Sequence, residues 1–391
     1  MAAAPEELLC AAAKSGEEEE VAKLLASGAD ATHFDADGLT PLMHAAAGGH
    51  AGVARLLLDC GAPWNALSPS GLSAGDLASD PDTYDILLDH ALLSELVLGT
   101  VARRQAVPAN ASDGAPAEGY LESRVSFSEE RVMDAESKAV MMAWERPLME
   151  AHARAVCQGG GKVLNVGFGM GLVDEAIQRY EPEEHTIVEA HPEVYERMLK
   201  LGWGEKKNVR IVFGRWQDVM PQLGSYDGIT YLLPLLIHFS VVMFGHRCCN
   251  DKCFLVWGLG VALSMVCLVG IQEYGEVGQK LKIGNFWSIF FDTYGEYYED
   301  MREFHQHLPK LLKPGGIYSY FNGLCGDNAF FHAVYCQLVA LELANLGYST
   351  QFIPLPVKDC LAEEVWKGVK QKYWQLDTYY LPACQSESES E

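Results

Sequence analysis

Gly159-Gly-Gly-Lys-Val-Leu-Asn-Val-Gly-Phe-Gly-Met-Gly171 is the stretch on which the reading of this chain turns. Lys162-Val-Leu-Asn-Val166 is a short apolar run with the length of a buried strand, and an amphipathic helix is expected from Leu172 to Tyr180. The glycines between them, Gly167, Gly169 and Gly171, allow a tight turn and a close approach of a ligand to the backbone. The pattern suits a dinucleotide, S-adenosylmethionine or plain tight packing. A second apolar run, His185-Thr-Ile-Val-Glu-Ala190, brings an acid, Glu189, 18 residues after Gly171, where a carboxylate suits a ribose diol. No lysine follows the glycines, so a nucleoside triphosphate is not expected.

Working outward, the 391 residues leave room for two or three domains. With 53 acidic and 29 basic residues the formal charge is −24, which disfavours a general nucleic-acid binder and suits a basic partner, or simply solubility. The 11 cysteines are scattered without a repeated C-x-x-C pair, as expected of reduced intracellular thiols rather than a disulfide framework. Met1-Ala-Ala-Ala-Pro-Glu-Glu7 has neither the basic nor the apolar region of a secretory signal.

Residues 1–95 carry a repeat. Leu24-Leu-Ala-Ser-Gly-Ala-Asp30 returns as Leu57-Leu-Asp-Cys-Gly-Ala-Pro63, with Gly28 and Gly61 33 residues apart. Thr40-Pro-Leu-Met-His-Ala45 resembles the ankyrin signature, so two helical repeats and a degenerate third ending near Ala91 are expected. So few repeats are marginal by themselves and should pack on the neighbouring domain, as a protein-binding surface or as a structural extension. A linker is expected over 96–119, a second domain over 120–384 and an acidic tail over 385–391. Pro147 should kink a helix across Met141-Met-Ala-Trp-Glu-Arg-Pro-Leu-Met149 and expose Trp144 and Glu145.

Trp144-Glu-x-Pro-x-Met149, Val163-Leu-Asn-Val-Gly-Phe-Gly-Met170, Gly214-Arg-Trp-Gln-Asp218, Phe291-Asp-Thr-Tyr294 and Leu312-Lys-Pro-Gly-Gly316 stand in an order that resembles the guanidinoacetate methyltransferase family. The ankyrin repeats in front resemble its type IV, arginine N5-methylating branch. The double-Glu and Thr-His-Trp loops of ordinary protein arginine methyltransferases are not evident.

The resemblance implies an α/β class I methyltransferase fold, Rossmann-like, with a seven-stranded, mostly parallel sheet and ligands at the strands' carboxyl ends. It implies S-adenosyl-L-methionine as cofactor. Phe168, Gly169, Met170, Gly171, Leu172 and Val173 would stand at its methionine part, and Glu189, Ala190 and His191 at ribose and adenine. Trp216 and Gln217 would flank adenine; Phe127, Met141 and Met149 would close over the cofactor, or simply pack in the core. Asp292, which would also touch the cofactor, and Glu145 would be the catalytic acids that bind and orient a guanidinium and take up its proton. The implied substrate is an arginine of a protein such as a ribosomal protein, in the cytoplasm and nucleus. The rivals are a guanidinoacetate-type small molecule, or an inactive isoform that binds through its ankyrin repeats. No metal and no nucleic acid is expected.

Thr230 to Ile289 interrupt the pattern. Tyr231–Phe244 and Phe254–Ile271 contain no Asp, Glu, Lys or Arg, and the second run has 18 residues, the lower edge of a membrane span. His246-Arg-Cys-Cys-Asn-Asp-Lys-Cys253 between them lacks the second ligand pair of a zinc knuckle. Translated non-coding sequence is the preferred reading over a membrane hairpin or an inserted subdomain. One structural solution is open: Phe286-Trp-Ser-Ile-Phe-Phe291 is strand-like and could replace Tyr226–Ile229 in the sheet, leaving Asp292 in place.

Overall fold

The computed structural model describes residues 4–105, 116–223, 286–294 and 298–386. At the N-terminus three helix pairs stack: Pro5–Ser15 with Glu18–Ala26, Pro41–Gly48 with Ala51–Asp59, and Ala74–Leu77 with Pro81–Gln105. Local chemistry starts each middle turn. Thr40 Oγ1 accepts from the Met43 amide at 3.2 Å ahead of Pro41, and Ser73 and Asp76 bond reciprocally in a capping box. Leu9, Val21, Leu42, Leu57 and Leu87 are fully buried between the pairs, with Ala45 and Ala46 letting the helices approach.

The repeats are not free-standing. Phe330 and Val334, on the helix Ala329–Ala344 of the second domain, belong to the same buried core as the repeats. Tyr84 meets the Phe330 ring edge-on at 5.5 Å, and Trp64 meets Phe331 at 5.7 Å. Asp76 accepts from the Phe330 amide at 2.9 Å and from Asn328 Nδ2 at 2.6 Å, capping that helix across the seam. Gly75 is required here, because a Cβ would lie 2.0 Å from the Phe330 ring. The third repeat's long helix also corrects the expected linker: it runs unbroken to Gln105. Ala102, Arg103, Arg104 and Gln105 are good helix formers, and no proline intervenes before Pro108.

The second domain opens with a small antiparallel sheet, β1 Ser126–Phe127, β2 Arg131–Met133 and β3 Ala139–Met142. The main sheet comprises β4 Lys162–Val166, β5 Glu184–Glu189, β6 Val209–Phe213, β7 Phe286–Phe291, β8 Leu312–Tyr320, β9 Tyr348–Pro356 and β10 Thr378–Ser386. Its order is β6-β5-β4-β7-β8-β10-β9, the first five strands parallel and β10 antiparallel to both neighbours. The order reverses at β4, and in such sheets ligands bind in the crevice at the carboxyl ends beside that reversal.

β7 is the strand that the interrupting segment put in question. It lies between β4 and β8, with Phe291 opposite Val166, so residues 286–289, counted with the interruption on the sequence, belong to the sheet. Tyr226–Ile229 and the apolar runs up to residue 285 lie outside the described residues. No helix among the described residues is long and apolar enough to cross a membrane.

Smaller differences have local causes. Between β7 and β8 two helices follow each other, Tyr298–His305 and Leu308–Leu311, because Pro309 starts a new turn. Pro314-Gly-Gly316 is an irregularity inside β8, with Gly315 at φ +74°. The last strand reaches into the expected tail: Tyr379, Leu381 and Cys384 are buried, and Gln385 and Ser386 pair with Ser349 and Tyr348.

Candidate active site

The glycine stretch sits at the switch point. Gly167, at φ +97°, lies against the end of β7, and a Cβ there would meet the Asp292 carbonyl oxygen at 1.8 Å. Only glycine lets the two strand ends come this close. Behind the loop, Asn165 Nδ2 donates to Asp174 Oδ1 and to the Gly167 carbonyl, each at 2.8 Å, and buried His185 places its Nε2 3.2 Å from the same Asp174 oxygen. Glu189, at the end of β5, accepts from the Phe168 amide at 2.9 Å and from the His191 amide at 2.6 Å, so it braces the loop while lining the cleft. Burial holds its acid above the usual carboxylate range.

Asp292 follows β7 directly; its amide donates to the Val166 carbonyl at 2.9 Å. Its Oδ2 is buried and has no hydrogen-bond partner among the described residues. Burial, and then the nearby Asp174 charge, push its acid up to about 7. Glu145 is 3% exposed; its Oε1 accepts from the Met142 amide at 2.8 Å and from the Tyr373 hydroxyl. Burial, and then the Asp292 charge, push its acid up to about 8, although both hydrogen bonds oppose this. The Asp292 charge disfavours ionisation of Glu145, and a cation bound beside both acids would relieve them.

Trp144 and Glu145 were expected exposed at a kinked helix. Instead Ala143–Glu145 is a single 3₁₀ turn, and Pro147 occupies the first turn of the helix Arg146–Cys157, where its missing N–H costs nothing. Trp144 is 8% exposed; its Nε1 donates to the Tyr373 hydroxyl at 3.0 Å, and its ring meets those of Trp366 and Tyr373 at 6.0 and 5.9 Å. The turn is pinned by an aromatic wall.

Of the residues singled out on the sequence, Met141, Gly169, Glu189, Ala190, Trp216 and Asp292 line one cleft. Met141 reaches over the loop, its Sδ accepting from the Met170 amide at 3.2 Å, and Gly171 caps the helix Leu172–Gln178. Met149, Phe168, Leu172 and Val173 are buried in the core beneath the loop and do not line the cleft. Phe127 lies under the Arg197 guanidinium at 4.8 Å, and Gln217 falls on the helix Trp216–Leu223 off the cleft lining. His191 turns away to cap the helix Pro192–Lys200 and to donate to the Ser123 carbonyl at 3.1 Å.

Tyr120, Val140, Arg215, Thr293 and Tyr294 also line the cleft without having been assigned a role, and Tyr373 holds Glu145 from 228 positions away. The Tyr120 ring stands 4.7 Å from those of both His191 and Tyr294, forming a roof. Tyr294 stands within a quoted motif, Phe291-Asp-Thr-Tyr294; nothing local marks Tyr373, whose neighbourhood is made by the last strands.

The cleft fits an adenosyl group and a sulfonium. A side chain at Gly169 would fill the cradle to within 2.9 Å of Met141 Sδ, an acid stands at the ribose position, and Asp292, which carries a buried, unpartnered oxygen, is part of the wall of an aromatic, thioether-lined space. Sheet order, glycine loop and acids together define a Rossmann-like methyltransferase domain behind ankyrin repeats. The guanidinoacetate N-methyltransferase family model matches residues 120–238, and a three-copy ankyrin model matches 5–91. Protein arginine N-methyltransferase 2 of Cryptococcus neoformans is 31% identical over 400 residues, covering 96% of this chain and 93% of that protein. The Aspergillus oryzae protein of the same name is 34% identical over 68% of this chain, and the match spans about half of that relative, 51%. For the Aspergillus fumigatus protein the figures are 31%, 79% and 60%. This chain belongs to the protein arginine N-methyltransferase 2 family. Membership of a methyltransferase family implies S-adenosylmethionine as methyl donor.

Proposed function

We propose that this chain transfers a methyl group from S-adenosylmethionine to a guanidinium nitrogen, the internal N5 nitrogen of an arginine in a protein substrate. The observation that carries the reading is a pair of buried acids, Asp292 lining a cleft of cofactor shape and Glu145 close enough for the Asp292 charge to raise it. When bound, S-adenosylmethionine supplies an electrophilic methyl group. A guanidinium gives up its proton only above about pH 12, so its nitrogen lone pair is poor until a proton can leave with the reaction. Asp292, in the cleft wall with a carboxylate oxygen unpartnered, accepts the N–H of the attacking nitrogen; Glu145, held by Tyr373 and the Met142 amide, carries the second negative charge that fixes the guanidinium. As the new N–C bond forms and the S–C bond breaks, the nitrogen proton passes to Asp292 and then to water. A carboxyl raised toward neutrality is a better base for this than an ordinary one.

The ankyrin lobe supports a macromolecular substrate over guanidinoacetate, since its core is continuous with the catalytic helix Ala329–Ala344. The acidic balance supports a basic substrate, a ribosomal protein being the leading class. Seven free thiols among the described residues support a reducing compartment, cytoplasm and nucleus. The test supplies methyl-deuterated S-adenosylmethionine with a basic ribosomal protein extract and, separately, with guanidinoacetate. Mass spectrometry should find the label on arginine N5 in protein; label on guanidinoacetate alone would reverse the assignment. Label on neither, with no calorimetric binding of the cofactor, would favour a binding role through the repeats.

A further inference from the structure

Asp292 is a wall between two spaces. On one side is the cofactor cleft; on the other a cavity begins whose walls include Tyr298, Met301, Phe321 and Leu324. Tyr298 and Leu324 in turn line a third cavity, where the catalytic domain supplies Glu299, Arg302 and Glu342, and the long helix of the third ankyrin repeat supplies Glu95. The three spaces therefore share walls, running from the cofactor cleft past Asp292 and an apolar neck to a vestibule between the two lobes.

The charges in the vestibule are unbalanced. Glu342 is satisfied by Arg302 at 2.7 Å and by the Tyr298 hydroxyl at 2.7 Å. Among the described residues Glu95 is met only by the Tyr335 hydroxyl, at 3.5 Å, and neither Glu95 nor Glu299 has a cationic partner. Burial, reinforced by Glu299, holds the Glu95 acid above its usual range. An arginine side chain matches this sequence of environments: three methylenes suit the neck and the guanidinium suits Asp292. A second base on the same segment suits Glu95 and Glu299.

We propose that this chain of cavities is the entry path of the substrate arginine, and that Glu95 and Glu299 together take a second basic side chain of the same protein segment. The substrate class is then an arginine in a lysine- or arginine-rich stretch, read jointly by the ankyrin lobe and the catalytic domain. The inference rests on the methyl-transfer reading of Asp292, and binding and turnover are therefore measured separately.

Two labelled peptides, each with one arginine, flanked in one by lysines and in the other by glutamines, are titrated into the full-length chain with S-adenosylhomocysteine present. Fluorescence anisotropy should give a Kd for the lysine peptide roughly 5- to 10-fold below that of the glutamine peptide, a preference that shrinks as salt is raised. In Glu95→Gln/Glu299→Gln the preference should vanish by weakening of the lysine peptide only. In turnover the same variant should raise KM for the lysine peptide and leave kcat and the KM for S-adenosylmethionine unchanged. Charge-dependent binding without any methyl transfer would support the vestibule and count against the methyl-transfer reading. Equal affinity of the two peptides in the unmodified chain, or equal loss of both in the variant, would overturn the proposal.

Discussion

The two acids of the site are held in opposite ways. Asp292 is placed by the sheet: its amide closes on Val166, Gly167 yields to its carbonyl, and its carboxylate, in the cleft wall, is left with a buried, unpartnered oxygen. Glu145 is placed by its own turn and by a remote side chain: its Oε1 accepts from the Met142 amide and from the Tyr373 hydroxyl, whose ring packs with those of Trp144 and Trp366. A strand end gives a position that survives loss of the side chain; hydrogen bonds to the carboxyl give one that depends on each partner. The first is suited to take up a proton, the second to hold a charge at a fixed place.

The largest effect is therefore expected at Asp292. Asp292→Asn keeps the backbone contacts and removes the base, so kcat should fall about 10²- to 10⁴-fold, while calorimetry shows cofactor affinity changed far less. Next, Glu145→Gln should lower kcat about 100-fold. It should also change stability in a pH-dependent way. The folded acid is raised to about 8 from the 4.5 of an ordinary glutamate, so its contribution favours the folded state while it is protonated and is lost as pH rises between those values. Thermal unfolding of the unmodified chain without ligands should thus weaken over that window, and the fall should be shallower in the glutamine variant.

How legible this contrast was in the sequence follows the same division. The glycine loop, β4, β5 and the place of Asp292 follow from apolar runs and glycines that are contiguous in the chain, even across the interruption, because Phe286–Phe291 carries its own strand pattern. The Glu145 corner was misread as exposed because Pro147 was taken as a breaker, whereas the chain uses it as a helix start. Tyr373 left no local signal, since it meets Glu145 only after the strands from β4 to β10 have assembled. Met149 and Phe168 neighbour site residues in sequence, and their side chains pack in the core.

Tyr373→Phe sharpens the comparison at smaller cost. Losing the hydroxyl that donates to Glu145 should raise that acid further, lower activity about tenfold near neutrality and move the rising limb of the rate profile to higher pH. The smallest effect on chemistry is expected from Phe330→Ala at the seam. Emptying the space it fills against Tyr84 and Trp64 should cost about 3 kcal/mol in denaturant unfolding, with cofactor affinity unchanged. A large change in cofactor binding there would mean that the seam and the cleft are coupled.

The most direct test of the two-acid account is the pH dependence of kcat/KM for arginine methylation, which reports the free enzyme's ionisations. The rate should climb through two steps, near about 7 and about 8, as the pair ionises to receive the guanidinium, and Glu145→Gln should lose the upper one. A profile flat from about pH 6 to about pH 9, or one unchanged by the glutamine substitution, would contradict it.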